Sequence, residues 1–261
     1  MSTIVQEAGP ARLEIDVDQG ARLASLQIHG HELLVTDDPA ATGWGSYPMA
    51  PFAGRVRHGE FGFNGTGYTM PINFPPHAIH GTAFDRAWSV DGDTDLSIDL
   101  GATWPFPGRA LQTITLGPEA LTMRLEVHSA GGAMPASCGW HPWFRRQLEI
   151  GEPAVLDFEA EFMERRDNEG IPSGERMAPP PPGPWDDCFG GIKRWPVLTW
   201  PGALELRIES SCEFLVIYTE PEHAICVEPQ TAPPDALNHD PFVVEPGRPL
   251  VATTTWSWQL A

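Results

Sequence analysis

An all-β fold, a large antiparallel β-sandwich, is what this sequence predicts, and three observations predict it. Apolar residues recur at alternate positions in one segment after another. No stretch carries the 3.6-residue apolar repeat of a long amphipathic helix. Glycine (26) and proline (28) are abundant but lie between the alternating segments, so they read as turns rather than disorder.

The elements follow in chain order. Leu13, Ile15 and Val17 share one face of a first strand, and Phe61 and Phe63 share a face of a short one closed by Asn64-Gly65. Ile114 and Leu116 lead into Gly117-Pro118-Glu119-Ala120, and Leu121, Met123, Leu125 and Val127 alternate on the return, which predicts a hairpin. Strands are also expected at 155–160, 204–208, 214–218 and 254–260, the last with Trp256, Trp258 and Leu260 on one face. The five prolines of segment 178–184 suggest a linker or a polyproline ligand. Strand patterns of one kind flank the segment on both sides, so a single domain over residues 1–261 is expected instead.

Composition narrows the function. A formal net charge of −19 argues against nucleic acid or an anionic membrane surface as partner and makes neutral ligands the default. Cys138, Cys188, Cys212 and Cys226 lie far apart with no C-x-x-C spacing, so neither a zinc site nor a redox motif is expected. The N-terminus lacks a basic region followed by an apolar run, and the strongest apolar run, 214–218, is too short to span a bilayer. A reduced, soluble, cytoplasmic protein is the expectation. The oligomeric state is left open.

Chemistry gathers in five stretches. In Ala224-Ile225-Cys226-Val227-Glu228-Pro229 a strand is expected to end at Glu228, since Pro229 cannot donate to a ladder; this would mount a carboxylate rigidly, as a general base needs. The others are Arg55 after a proline-bounded loop, His77-Ala78-Ile79-His80-Gly81, Gly139-Trp140-His141-Pro142-Trp143-Phe144, and Trp185-Asp186-Asp187. Taken singly, each has a plainer reading. His141 suits a core histidine, His77 a loop residue and Arg145-Arg146 a solvated pair, while the site carboxylate is Asp186 or its neighbour Asp187.

Taken in order, the five stretches resemble the aldose 1-epimerase (galactose mutarotase-like) family, in its shorter bacterial-type branch. The match runs through Pro51-Phe52-Ala53-Gly54-Arg55, His80-Gly81, His141-Pro142-Trp143-Phe144, Asp186-Asp187-Cys188-Phe189 and Glu228-Pro229-Gln230, then Pro234-Asp235-Ala236 and Asn238. Thr82 stands where a second glycine is usual, and Trp143 where the longer galactose enzymes carry tyrosine, which bears on the preferred sugar more than on the chemistry.

The resemblance implies the family's large antiparallel sandwich and a cofactor-independent interconversion of the α- and β-anomers of an aldose. Under it, His141 matches the acid that protonates the ring oxygen, Glu228 the base, and His80 a histidine near the ring oxygen. Arg55 and Asp186 match hydroxyl-binding residues. Trp140, Trp143 and Trp185 would offer apolar faces to the pyranose, with His77 within reach of the site. A carboxylate and a histidinium then exchange roles on the return step. Two other readings are weighed: a hexose-6-phosphate 1-epimerase, for which Arg57, Arg86, Arg145 or Arg146 would cradle the phosphate, and a non-catalytic sugar-binding or sensor protein on the same scaffold.

Overall fold

A computed structural model describes residues 2–92 and 94–260. Seventeen strands form one large curled antiparallel sheet, and three two-stranded ribbons decorate it. Helix among the described residues is confined to two single 3₁₀ turns, Arg57–Gly59 and Ala236–Asn238. The all-β prediction holds.

The predicted hairpin pairs Gly108–Leu116 with Ala120–Ser129, closed by a hydrogen bond from Gly117 N–H to the Ala120 carbonyl. Leu121, Met123, Leu125 and Val127 are fully buried, as their alternation requires. That strand pairs in turn with Leu250–Leu260, where Trp256 is buried but Leu260, at the strand's end, is 63% exposed. Asn64 and Gly65 both adopt positive φ (49° and 76°), the conformation that a two-residue hairpin turn demands.

The proline-rich segment is an ordinary loop. It joins Pro172–Met177 to Asp186–Trp200, and both strands pair with Val155–Arg166. All four cysteines are buried free thiols.

Two expectations fail. The Glu228 strand does not stop at the proline: it spans Ala224–Gln230, with Pro229 in register opposite Leu215. A proline's φ suits an extended chain, and what the ring removes is only one N–H. Arg145 and Arg146 are not a solvated pair. Arg145 donates to the Leu34 carbonyl at 2.7 Å, and Arg146 Nη2 reaches the carbonyls of Thr219, Pro221 and Ala224 at 2.9–3.1 Å. Removing Arg146 would leave those carbonyls short of a donor. Arg146→Ala is expected to lower stability by about 1–3 kcal/mol, read from urea unfolding, where a solvated arginine would cost nearly nothing.

Candidate active site

The site lies on one face of five adjacent strands: Asp186–Trp200, Phe214–Tyr218, Ala224–Gln230, Gly139–Arg145 and Ser46–Met49. Between the third and fourth, pairs form at Gly139–Gln230 and again from Trp143–Cys226 onward, with none between. Pro142 and Pro229 fall in that interval, and neither can donate a ladder hydrogen bond. Carrying the constant register through the gap sets His141 opposite Glu228. Their side chains meet there, with His141 Nε2 3.3 Å from Glu228 Oε1.

Cross-strand rows place the neighbours on the same face. One row runs Cys188, Val216, Glu228, His141, Tyr47, and the next Asp186, Tyr218, Cys226, Trp143. Loops and the short strand Arg55–Val56 complete a cavity of about 410 Å³ over this face, contributing Thr42, Gly54, Arg55, Phe74, His80 and His223 among others. His80 reaches it through a tight turn. It has φ 61°, its N–H donates to the Gly54 carbonyl, and a Cβ on Gly81 would lie 2.0 Å from the Ala50 carbonyl oxygen. Only glycine fits at position 81.

Asp186, not Asp187, lines the cavity. Its Oδ2 accepts from Arg55 Nη2 at 3.2 Å and from Arg166 Nη1 at 2.8 Å, while Arg55 Nη1 donates to the Gly170 carbonyl at 2.9 Å. Asp187 is turned to Arg166 Nε at 2.9 Å.

Burial sets the charge states. It raises Glu228 well above the usual carboxylate range; Asp186 adds to the rise, while Arg55 and a hydrogen bond from Gln230 Nε2 at 3.2 Å oppose it. Burial holds His141 well below an ordinary histidine, helped by His80 and Arg22. It also takes His80 down to about 3, with Arg55 contributing. A resting carboxylate–histidinium pair, the sequence expectation, is therefore disfavoured: with both groups buried, the neutral carboxyl and neutral imidazole are the better partners. The polar atoms His80 Nδ1, His141 Nδ1 and Gln230 Oε1 are buried without a hydrogen-bond partner in the protein. Among the described residues no group of three or more His, Cys, Asp or Glu side chains is arranged to hold a metal ion.

His141, Glu228, His80, Arg55, Asp186 and Trp143 are thus brought together, and three expected residues are not. Trp140 is fully buried on the opposite face, its Nε1 donating to Gln112 Oε1, because neighbours on a strand point opposite ways. Trp185 packs against Phe158 and Phe189 and donates to the Pro181 carbonyl, which draws it under the proline loop. His77 is buried outside the cavity, with Nδ1 accepting from His58 N–H and Nε2 3.0 Å from the Glu169 carbonyl. The reading of the sequence also missed Gln230, Tyr218, Phe74 and His223. For Gln230 and Tyr218 the signal was present: Gln230 lies two residues from Glu228 on one strand, and Tyr218 closes an apolar run.

A sequence model of the aldose 1-epimerase family matches residues 12–257. Among solved structures, a putative aldose 1-epimerase from Escherichia coli K12 is similar with a TM-score of 0.85 at 20% identity, covering 100% of this chain and 99% of that one. A galactose mutarotase-like protein from Clostridium acetobutylicum gives 0.87 at 18% identity, covering 98% and 95%. At those identities the likeness speaks for the fold alone. The E. coli K12 protein YphB is 30% identical over 110 residues, which span 40% of this chain and 38% of that protein. With its family model covering nearly the whole length and its sheet shared with these structures, the chain belongs to the aldose 1-epimerase family.

Proposed function

We propose that the chain is a single catalytic domain that interconverts the α- and β-anomers of a free, uncharged aldose. The observation that carries this reading is the opposition of His141 and Glu228 at 3.3 Å on the cavity floor, with Arg55, Asp186 and His80 around them. Once the shared proton has passed from Glu228 to His141 across their 3.3 Å contact, Glu228 takes the proton from the anomeric hydroxyl as C1 becomes a carbonyl, and the C1–O5 bond breaks while His141 delivers its proton to O5. After rotation about C1–C2 the steps reverse: His141 regains the proton as O5 attacks the other face, and Glu228 returns its own. The cycle consumes nothing, so no cofactor is called for. The reducing cytoplasm suits its four buried thiols.

An uncharged sugar is favoured over a phosphorylated one. Arg55 is the only Lys or Arg side chain among the described residues that line the cavity, and it is committed to Asp186 and Gly170. Arg57 is bound to Asp167 and Glu169, and Arg86 to the carbonyls of Thr82, Asp99 and Leu100. Arg145 and Arg146 are likewise held by backbone carbonyls. Asp38 adds a further negative charge to the lining. The test is polarimetry of freshly dissolved aldoses and their 6-phosphates. Faster mutarotation of a neutral aldose is the expected result. Acceleration confined to a phosphorylated sugar would replace this reading with the hexose-6-phosphate one, and binding without acceleration would leave a sugar-binding protein.

The pH dependence is unusual. The active state carries one proton between the two groups, whichever holds it at rest. The doubly protonated state below it ends as His141, held low, releases its proton. The empty state above it begins as Glu228, held high, loses its own. The bell-shaped profile should therefore be broad, with its acid limb governed by His141 and its alkaline limb by Glu228, the reverse of an ordinary carboxylate–histidinium pair. An acid limb near an ordinary carboxylate pKa of about 4 and an alkaline limb near about 6.5 would contradict this assignment.

A further inference from the structure

Gln230 ends the strand that carries Glu228 and is paired on both sides, with Phe214 and with Gly139. A Cβ on Gly139 would lie 2.2 Å from the Pro229 carbonyl oxygen and 3.2 Å from Gln230 Cγ, so glycine lets the strands close here. The two-residue period sets the Gln230 side chain on the face of Glu228, where it is fully buried and lines the cavity. Among the described residues its amide has a single hydrogen-bond partner. Nε2 donates to Glu228 Oε2 at 3.2 Å, and Oε1 meets no donor. Burying an amide for one hydrogen bond costs stability, because desolvation of the unpaired carbonyl goes uncompensated. An apolar side chain would pack as well, and the reaction scheme gives Gln230 no task.

The two oxygens of Glu228 face different groups. Oε1 lies 3.3 Å from His141 Nε2, while Oε2 meets the Gln230 N–H. An amide N–H only donates, so the oxygen it meets serves as an acceptor and is not the one that carries the acid proton. We infer that Gln230 is a positioning residue that keeps Oε2 as an acceptor and so places the proton of Glu228 on Oε1, facing His141 Nε2. The inference rests on the proposed acid–base cycle and concerns its first step, the passage of the shared proton to His141. A proton on Oε2 would point at the amide and away from the histidine. After the passage the same N–H stays on the carboxylate, where a charge-assisted hydrogen bond opposes the penalty of burial. No other group among the described residues hydrogen-bonds Oε2. Val216, the neighbour of Glu228 on one side, is apolar. On the other side Tyr47 and His80 lie beyond His141, Tyr47 stacking on its ring at 5.1 Å and His80 meeting it edge-on at 5.0 Å. The Cys188 and Cys226 thiols are held protonated by burial, and Arg55 and Asp186 are bonded to each other.

Gln230→Met keeps the length of the side chain and removes the donor. On an aldose that the wild-type protein turns over, it is expected to lower kcat about 10-fold or more, with KM within about threefold. Its alkaline limb should move to higher pH by about one unit or more, because the Glu228 carboxylate has lost its donor. An unmoved limb, or a rise in KM alone, would overturn the proposal, the latter making Gln230 a binding residue. NMR of the ligand-free wild-type protein tests the hydrogen bond without turnover and without any variant. The Gln230 side-chain amide should hold one slowly exchanging proton both below and above the titration of the Glu228 carboxyl carbon. That proton should move downfield as Glu228 ionises. Protection confined to the ionised state would show the acid proton donating to the Gln230 carbonyl, and would refute its placement on Oε1. A wild-type protein that accelerates no mutarotation would overturn the acid–base reading and the positioning role with it, and the amide signals tell that failure from a misplaced hydrogen bond.

Discussion

Glu228→Gln is expected to lower kcat for mutarotation by at least about 10², with a much smaller effect on sugar affinity. The substitution keeps the shape and the contact to Gln230 but leaves no group to take the anomeric proton. His141→Asn should cost a comparable factor, since a carboxamide neither accepts nor delivers the O5 proton. The two losses should not multiply. Because the side chains face each other at 3.3 Å and share one proton cycle, the double variant should lose less than the product of the single effects. Stopped-flow polarimetry on each variant, with ligand affinity measured separately, decides the matter. Wild-type turnover of both anomers by the two single variants would sink the assignment of acid and base.

Arg22→Met is expected to destabilise the fold by about 3–5 kcal/mol, and for a chain of this size to lower Tm by roughly 10 °C. Arg22 is fully buried and spends its donors on three carbonyls: Gln19 at 2.8 Å, and Trp44 and Phe84 at 3.1 Å each. Its guanidinium also lies 4.2 Å from the centroid of the Trp44 ring and 5.1 Å from that of Tyr47. Burial, opposed in part by Tyr47, Asp16 and Asp85, brings its pKa down to about 10, so it remains charged at neutral pH. The cation therefore joins the loop before Ser46, which lines the cavity, to the loop after Gly81, behind the ring that packs on His141. Methionine of similar length fills the space but leaves the buried Trp44 and Phe84 carbonyls and the partly buried Gln19 carbonyl without this donor. Calorimetry of Arg22→Met beside the exposed control Arg194→Met should show the loss in the first alone. Equal Tm values would mean that water satisfies those carbonyls.

Much of this molecule is written locally in the chain. Alternation at 121–127 and the Asn64-Gly65 turn announce their strands, because side-chain period and positive φ are properties of a few consecutive residues. The pairing of His141 with Trp143 on one face was equally legible, and the same rule should have sent Trp140 to the core. The ordered motifs placed the family, and with it Arg55, His80, His141, Asp186 and Glu228, all of which line one cavity.

What the chain alone left undecided depends on contacts between distant segments. The choice of Asp186 over Asp187 follows from which face of its strand the cavity occupies, and the loss of Trp185 and His77 from the site follows from partners at Phe158, Phe189 and Glu169. Arg145 and Arg146 look like solvent charges until the bridge at Leu34 and the strand carrying Ala224 bring carbonyls to them. Most of all, the sequence supplies a histidine and a glutamate with ordinary pKa values of about 6.5 and about 4.3, on strands far apart in the chain. Cross-strand register sets them opposite one another, and burial moves the glutamate up and the histidine down. Register and desolvation belong to the assembled sheet and not to any segment of it, so this part of the site was decided by the tertiary structure.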